Sequence, residues 1–172
     1  ALLRLSNGNM AIGSHDGGLC ILQKNNRFKR INISSDQTAN SNVYSLFQDE
    51  NNILWVGTLN GLFLYDFKSE SGQSVSTLIK TKVLDDKQIM TLYSDSKKRL
   101  WIGTDNGLYI YDKTQNQLYN AEPQKINDKQ ICCIFEDKQH SIWIGSQSGL
   151  FTYDEQNKKL FDIGNYYKIP DY

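Results

Sequence analysis

Trp55-Val-Gly-Thr-Leu-Asn-Gly-Leu-Phe-Leu-Tyr-Asp66 returns as Trp101-Ile-Gly-Thr-Asp-Asn-Gly-Leu-Tyr-Ile-Tyr-Asp112 and again as Trp143-Ile-Gly-Ser-Gln-Ser-Gly-Leu-Phe-Thr-Tyr-Asp154. Trp101 follows Trp55 by 46 residues, and Trp143 follows Trp101 by 42. Short strands repeating about every 40–45 residues are the sequence signature of β-propeller blades. A weaker copy precedes them: Ala11-Ile12-Gly13-Ser14 aligns with Trp55-Val56-Gly57-Thr58, with one extra residue in the turn that follows. The aromatic is replaced by Ala11 there, so that blade is expected to pack less well.

One copy can be read strand by strand. Twelve residues before each tryptophan stands a β-branched aliphatic: Val43, Ile89 and Ile131. Each opens an inner strand that runs to Asp49, Asp95 or Asp137 and is expected to be apolar on both faces, as a strand between two layers is. The three aspartates are read as acceptors for the amides of the turn that follows. The second strand carries the tryptophan, which should bury about 200 Å² between blades. Gly57, Gly103 and Gly145 follow it two residues on and leave room for close backbone approach. Asn60-Gly61 and Asn106-Gly107 then signal a tight hairpin with both central residues at positive φ, and Ser148-Gly149 is a variant. The third strand ends at the aspartate of the motif. A short outer strand is expected at Phe28 to Ile31, near Val75 to Ile79, around Leu118-Tyr119, and at Leu160 to Ile163.

The predicted architecture is therefore all-β: a partial propeller of about four four-stranded antiparallel blades, at about 1–33, 42–80, 88–121 and 130–163. Residues 164–172 read as a connector to a further blade. Four such blades suggest an open arc or half of a larger ring, because propellers close with about four to eight blades. The exposed end faces would then meet other blades of the same propeller or a second copy. The chain opens at Ala1 without a methionine, and is expected to be a piece of something longer.

Composition narrows the function. With 19 basic and 19 acidic side chains among 172 residues the formal charge is zero. Nucleic acid is therefore not an expected partner, since phosphate binding needs a concentrated basic face. No apolar run approaches the roughly 20 residues that a membrane helix needs, so no direct membrane contact is expected. Cys20, Cys132 and Cys133 are an odd set for a disulfide framework and are read as small buried apolar residues.

The pattern W-[VI]-G-[TS]-x-x-G-L-x-x-Y-D, after an apolar strand ending in Asp, resembles the two-component regulator propeller repeat. The resemblance covers nearly the whole chain. It implies the sensor region of a hybrid two-component receptor: paired periplasmic propellers, an immunoglobulin-like domain, one membrane helix and a histidine kinase. It also implies an oligosaccharide as ligand and a sevenfold ring.

Ligand candidates lie where strands two and three join and where the connectors enter the inner strands. They are His15 and Asp16, Asn60, Asp105 and Asn106, and Gln147 at the turns, with Asn42, Gln88 and Gln130 at the entries. Carboxamides offer donors and acceptors together, which suits sugar hydroxyls, and Tyr44 could stack on a sugar face or be buried. The plainer reading is that Asn and Asp beside Gly serve the turn itself. Trp55, Trp101, Trp143 and the glycines Gly57, Gly103, Gly145, Gly61, Gly107 and Gly149 are read as structural. Propeller hydrolases place acid and base carboxylates near the axis. The entry residues here are carboxamides that move no proton, while Asp86 and Asp128 look like connector residues. His15 and His140 fall on opposite rims of different blades, which gives no metal pair. No catalysis, metal or cofactor is expected. The remaining alternative is a protein-interaction scaffold.

Overall fold

In the computed structural model, residues 1–34, 42–75, 82–121, 126 and 130–164 are described. The repeated segment folds as a repeated hairpin. Trp55 lies opposite Leu64, Trp101 opposite Ile110 and Trp143 opposite Thr152. Ala11 lies opposite Ile21, so the degenerate copy keeps the register with its one extra turn residue.

The strands are β1 (Leu2–Arg4), β2 (Met10–Ser14), β3 (Gly18–Leu22) and β4 (Phe28–Ile31), then β5 (Val43–Gln48), β6 (Ile53–Thr58), β7 (Gly61–Asp66) and β8 (Ser71–Ser74). They continue as β9 (Ile89–Ser94), β10 (Leu100–Thr104), β11 (Gly107–Asp112) and β12 (Gln117–Asn120), then β13 (Ile131–Glu136), β14 (Ile142–Ser146), β15 (Gly149–Asp154) and β16 (Lys159–Asp162). Each set of four forms one antiparallel sheet in chain order. The fold is all-β, built of four-stranded propeller blades.

Two turn types recur. The turn between the first two strands has a left-handed residue at Gly8, Asn52, Lys98 or His140, and the turn between the last two has one at Asn26, Glu70, Asn116 or Lys158. The aspartate that ends the motif caps the second type: Asp66, Asp112 and Asp154 accept from the amides of Lys68, Thr114 and Gln156. The second sheet's described outer strand is Ser71–Ser74, where one was expected near Val75 to Ile79. The turn after Asp66 delivers Ser71 opposite Asp66, and backbone pairing outweighs the weak strand propensity of Ser-Gly-Gln-Ser. Residues 76–81, and the expected connector from 165 onward, lie outside the described residues.

The chain divides into two compact units, Ala1–Ile89 and Met90–Tyr172. In the first, Ala11, Leu19, Ile21 and Leu5 form one core with Val43, Leu54, Val56, Phe63 and Tyr65. In the second, Trp101, Leu108 and Ile110 share a core with Ile131, Ile142, Ile144, Phe151 and Tyr153. The glycine of the second strand makes this packing possible: a Cβ on Gly103 would stand 2.7 Å from Ile131 Cγ2.

Three expectations need correction. The inner strands are half-buried, not apolar on both faces: β13 buries Ile131 and Ile134 while exposing Phe135. Cys132 and Cys133 are exposed, and Cys20 is intermediate. A β-bulge between Ile131 and Cys133 leaves Cys132 without a partner opposite; the same irregularity occurs between Val43 and Ser45, where Ser45 is buried against Ile89. Finally, the positive φ at the hairpins falls on Gly61 (108°) and Gly107 (101°), and not on Asn60 or Asn106.

Candidate functional site

A hydroxyl holds each turn between the second and third strands. Thr58 Oγ1 donates to the Gly61 carbonyl at 2.9 Å and accepts from the Asn60 amide at 3.1 Å. Thr104 does the same for Gly107 and Asn106, and Ser146 for Gly149 and Ser148. This role was missed in the sequence, although the [TS] column of the motif marks it. With the hydroxyl closing the turn, the Asn60 and Asn106 side chains are not needed for its central geometry.

In the first unit, His15 and Asp16 occupy an exposed turn, with His15 Nδ1 3.3 Å from Asp16 Oδ1. The His15 ring meets half-buried Tyr44 edge-on, with 6.3 Å between centroids. Asn42 is tied to the same end of its sheet, because its carbonyl accepts from the Leu59 amide at 3.1 Å. The Gly61 amide donates to the Lys87 carbonyl at 3.0 Å, which places Gln88 beside the Asn60 turn. Asp86 is exposed, and Asp128 lies outside the described residues.

In the second unit, two expected site residues meet directly. Gln147 Nε2 donates to Gln130 Oε1 at 2.6 Å, and the Gln147 amide donates to the Gln130 carbonyl at 3.1 Å. Exposed Cys132 lies next to this pair, its Sγ 3.9 Å from the Gln130 carbonyl. A Cβ on Gly149 would meet nothing within 4 Å. Asp105 and Asn106 occupy the turn of the neighbouring hairpin, where the Asn106 amide is bound to Thr104. The arrangement presents exposed carboxamides and open backbone at a sheet end, which can bind a polar ligand through paired donors and acceptors.

The other end of the sheets carries different chemistry. Trp55, Trp101 and Trp143 donate their indole N–H to Asp49, Asp95 and Asp137 at 2.9, 2.8 and 2.8 Å. The second oxygen of each aspartate accepts turn amides, such as Arg99 N–H to Asp95 Oδ1 at 2.8 Å. The turn-amide role was expected; the indole bond was not. His140 Nδ1 lies 3.0 Å from Glu136 Oε1 at this end. Burial pushes Glu136 up, but hydrogen bonds from Ser96 and His140 outweigh it and leave the carboxyl below its ordinary range. Among the described residues no three metal-ligating side chains gather, and no helix is long and apolar enough to cross a membrane.

Residues 38–60, 83–106 and 125–148 match the family model described as the two component regulator propeller. Among solved structures, the chain is similar to the extracellular domain of BT4673 from B. thetaiotaomicron, described both as a one-component and as a hybrid two-component system. Identity is 26%, with 88% of this chain and 21% of that one covered and a TM-score of 0.73. The corresponding domain of the hybrid two-component system BT3049 from the same organism is 19% identical, covering 90% and 22%, with a TM-score of 0.72. Virginiamycin B lyase from Staphylococcus aureus is 11% identical over 99% of this chain and 55% of that enzyme, with a TM-score of 0.74, and shares the fold alone. None of the curated proteins matches the chain. The chain spans about a fifth of the length of the two extracellular domains.

Proposed function

We propose that this chain, whose residues 38–60, 83–106 and 125–148 match the two-component regulator propeller model and which is similar to extracellular domains of hybrid two-component systems, is a ligand-sensing segment of such a receptor. The observation that carries the reading is the likeness to the BT4673 extracellular domain over 88% of the chain. Its place is extracytoplasmic, in the periplasm, and its ligand is an oligosaccharide. Support for the ligand class comes from the turns, where exposed Gln147 pairs with half-buried Gln130 and His15 stands edge-on to Tyr44. The rim candidates are His15, Asp16, Asn42, Asn60, Gln88, Asp105, Asn106, Gln130 and Gln147.

The segment itself performs no chemistry in this reading. A bound saccharide favours one arrangement of the receptor's domains, and that arrangement reaches the histidine kinase. Such a shift is only as large as the ligand's difference in affinity between the two arrangements.

Calorimetry of the chain and of the whole extracellular region against an oligosaccharide panel tests the proposal. Saccharide binding that is lost in Gln130→Ala/Gln147→Ala supports it. A second reading, a protein-interaction scaffold, draws on exposed Phe135, Leu150 and Phe161 in the fourth sheet. No response to any saccharide, together with capture of a polypeptide by that face, would replace the first reading with the second.

A further inference from the structure

The second unit contains a cavity of about 490 Å³ lined by Arg99, Asp112, Gln117, Tyr119, Tyr153 and Lys158 among others. It opens at the Asp112 end of β11, whereas the Asn106 turn lies at the other end of that strand. The first unit provides an internal comparison. Lys29 pairs with Ile21 across the outer hairpin as Tyr119 pairs with Ile110, so Lys29 and Tyr119 are equivalent positions. The left-handed turn residues Glu70 and Lys158 are likewise equivalent, as are Tyr65 and Tyr153 and the residues that follow their aspartates, Phe67 and Glu155.

In the first unit these positions close on themselves. Lys29 Nζ binds Glu70 Oε1 at 2.7 Å, and Phe67 packs edge-on to Tyr65 with centroids 5.1 Å apart. In the second unit a phenol replaces the ammonium and an ammonium replaces the carboxylate, so that ion pair cannot form. Glu155 is drawn instead to Arg99 and to Lys97, and the Tyr153 ring packs edge-on to Trp101 at 5.0 Å. Tyr153 is only 6% exposed, lines this cavity, and its hydroxyl has no hydrogen-bond partner among the described residues. Burial pushes its pKa up to about 12, so the phenol keeps its proton as a donor.

We propose that this cavity is a second binding site, distinct from the turns, for a neutral hydroxyl-bearing ring ligand the size of one or two sugar units. The volume falls within the usual 300–1,000 Å³ of small-molecule sites. The Tyr153 hydroxyl meets a ligand hydroxyl, the Tyr119 ring offers an apolar face, and Gln117 with Asp112 and Lys158 supplies donors and acceptors on the rim. Charges of both signs line the cavity, which disfavours a strongly ionic ligand.

The test uses cellobiose at millimolar concentration as probe, with backbone amide shifts recorded for the folded chain. The site predicts saturable shifts in Gln117 to Ala121 and around Tyr153, weakened roughly tenfold in Tyr153→Phe by the loss of one hydrogen bond. Tyr119→Lys/Lys158→Glu rebuilds the first unit's ion pair on exposed side chains and should abolish these shifts while the melting temperature holds. Shifts unchanged in both variants, or no shifts in this region of the wild type, would overturn the proposal. Shifts confined to Gln147 to Gly149 would overturn it while supporting the turn site, so the two proposals fail separately.

Discussion

The indole Nε1–H of Trp101 donates to Asp95 Oδ2 at 2.8 Å, joining residues six apart across the first turn of their sheet. The same aspartate fixes that turn through the Arg99 amide, so one carboxylate holds both the turn and the core aromatic. In the first sheet the partners disappear together: Leu5 stands where Asp95 would, and Ala11 where Trp101 would. Both are buried, and the turn keeps its backbone bonds from Leu5 to Asn9 and from Gly8 to Leu5. A buried carboxylate without its donor would be costly, which explains why the pair is lost as a pair.

Trp101→Phe keeps most of the ring and removes the donor. It should lower stability by about 1.5–3 kcal/mol, the range for a hydrogen bond to a charged group. Trp143 is only half-buried, so Trp143→Phe should cost less. Urea unfolding of both variants measures this order; equal losses would contradict it.

Gly103→Ala forces a methyl group to within 2.7 Å of Ile131 Cγ2 and 2.6 Å of Thr91 Cγ2. Overpacking of this kind costs about 1–3 kcal/mol. Gly145→Ala meets the Sγ of exposed Cys133 and no other side chain within 4 Å. That thiol can turn away, so the second variant should melt within a few degrees of the wild type while the first melts clearly lower.

Phe67 fills in the first unit the role that Trp101 fills in the second. Tyr65 receives the edge of Phe67 at 5.1 Å and 82°, and Tyr153 meets Trp101 at 5.0 Å and 79°. Phe67→Ala should therefore destabilise by roughly 2 kcal/mol. Ala11→Trp alone should also destabilise, because Ala11 is fully buried and its site is full. The double variant should lose less than the sum of the two, with coupling on the order of 1 kcal/mol. Simple additivity would show that the two aromatics do not share one space.

Much of this was legible in the chain. The hairpin of each repeat and the turn-capping aspartates follow from local rules, because Asp49, Asp95 and Asp137 accept amides within four residues of themselves. The indole–carboxylate bond was not legible, since its six-residue span depends on how the turn folds back. The exposure of Cys133 escaped because burial at its position depends on what packs over the inner strand and not on polarity: the equivalent Ser45 is buried against Ile89. The outer strand Ser71–Ser74 escaped because its pairing comes from the preceding turn and not from its own side chains. For the candidate site, the meeting of Gln130 with Gln147 and that of His15 with Asp16 join expected residues through their side chains; the hydroxyls of Thr58, Thr104 and Ser146 had to be seen in place.

Acid should unfold the protein through its turn carboxylates. The Trp143 indole, followed by turn amides, holds Asp137 below the ordinary aspartate range. Asp112 is lowered first by the Thr114 hydroxyl, and Asp154 first by the Asn157 side chain. A lowered folded-state value means the contribution is complete above the unfolded value, about 3.9, and is lost as pH falls through the folded values. Melting temperature should thus hold from neutrality to about pH 5 and fall below about 4. The fall should be shallower in Asp137→Asn; an unchanged acid limb would contradict this cause.

Alkali should act in the opposite sense through Tyr153, whose phenol burial raises to about 12. Its contribution is complete below the unfolded value of about 10 and is lost as pH rises from there through about 12. Tyrosinate absorbance should show a late-ionising group that vanishes in Tyr153→Phe.

The sensing role is tested most directly by hydrogen exchange of the complete extracellular region with and without the saccharide that binds it. The account predicts slower exchange in the turn-end segments around His15 to Gly18, Asn42 to Tyr44, Gln130 to Cys132 and Gln147 to Gly149. Exchange unchanged in all four, with the ligand demonstrably bound, would contradict it.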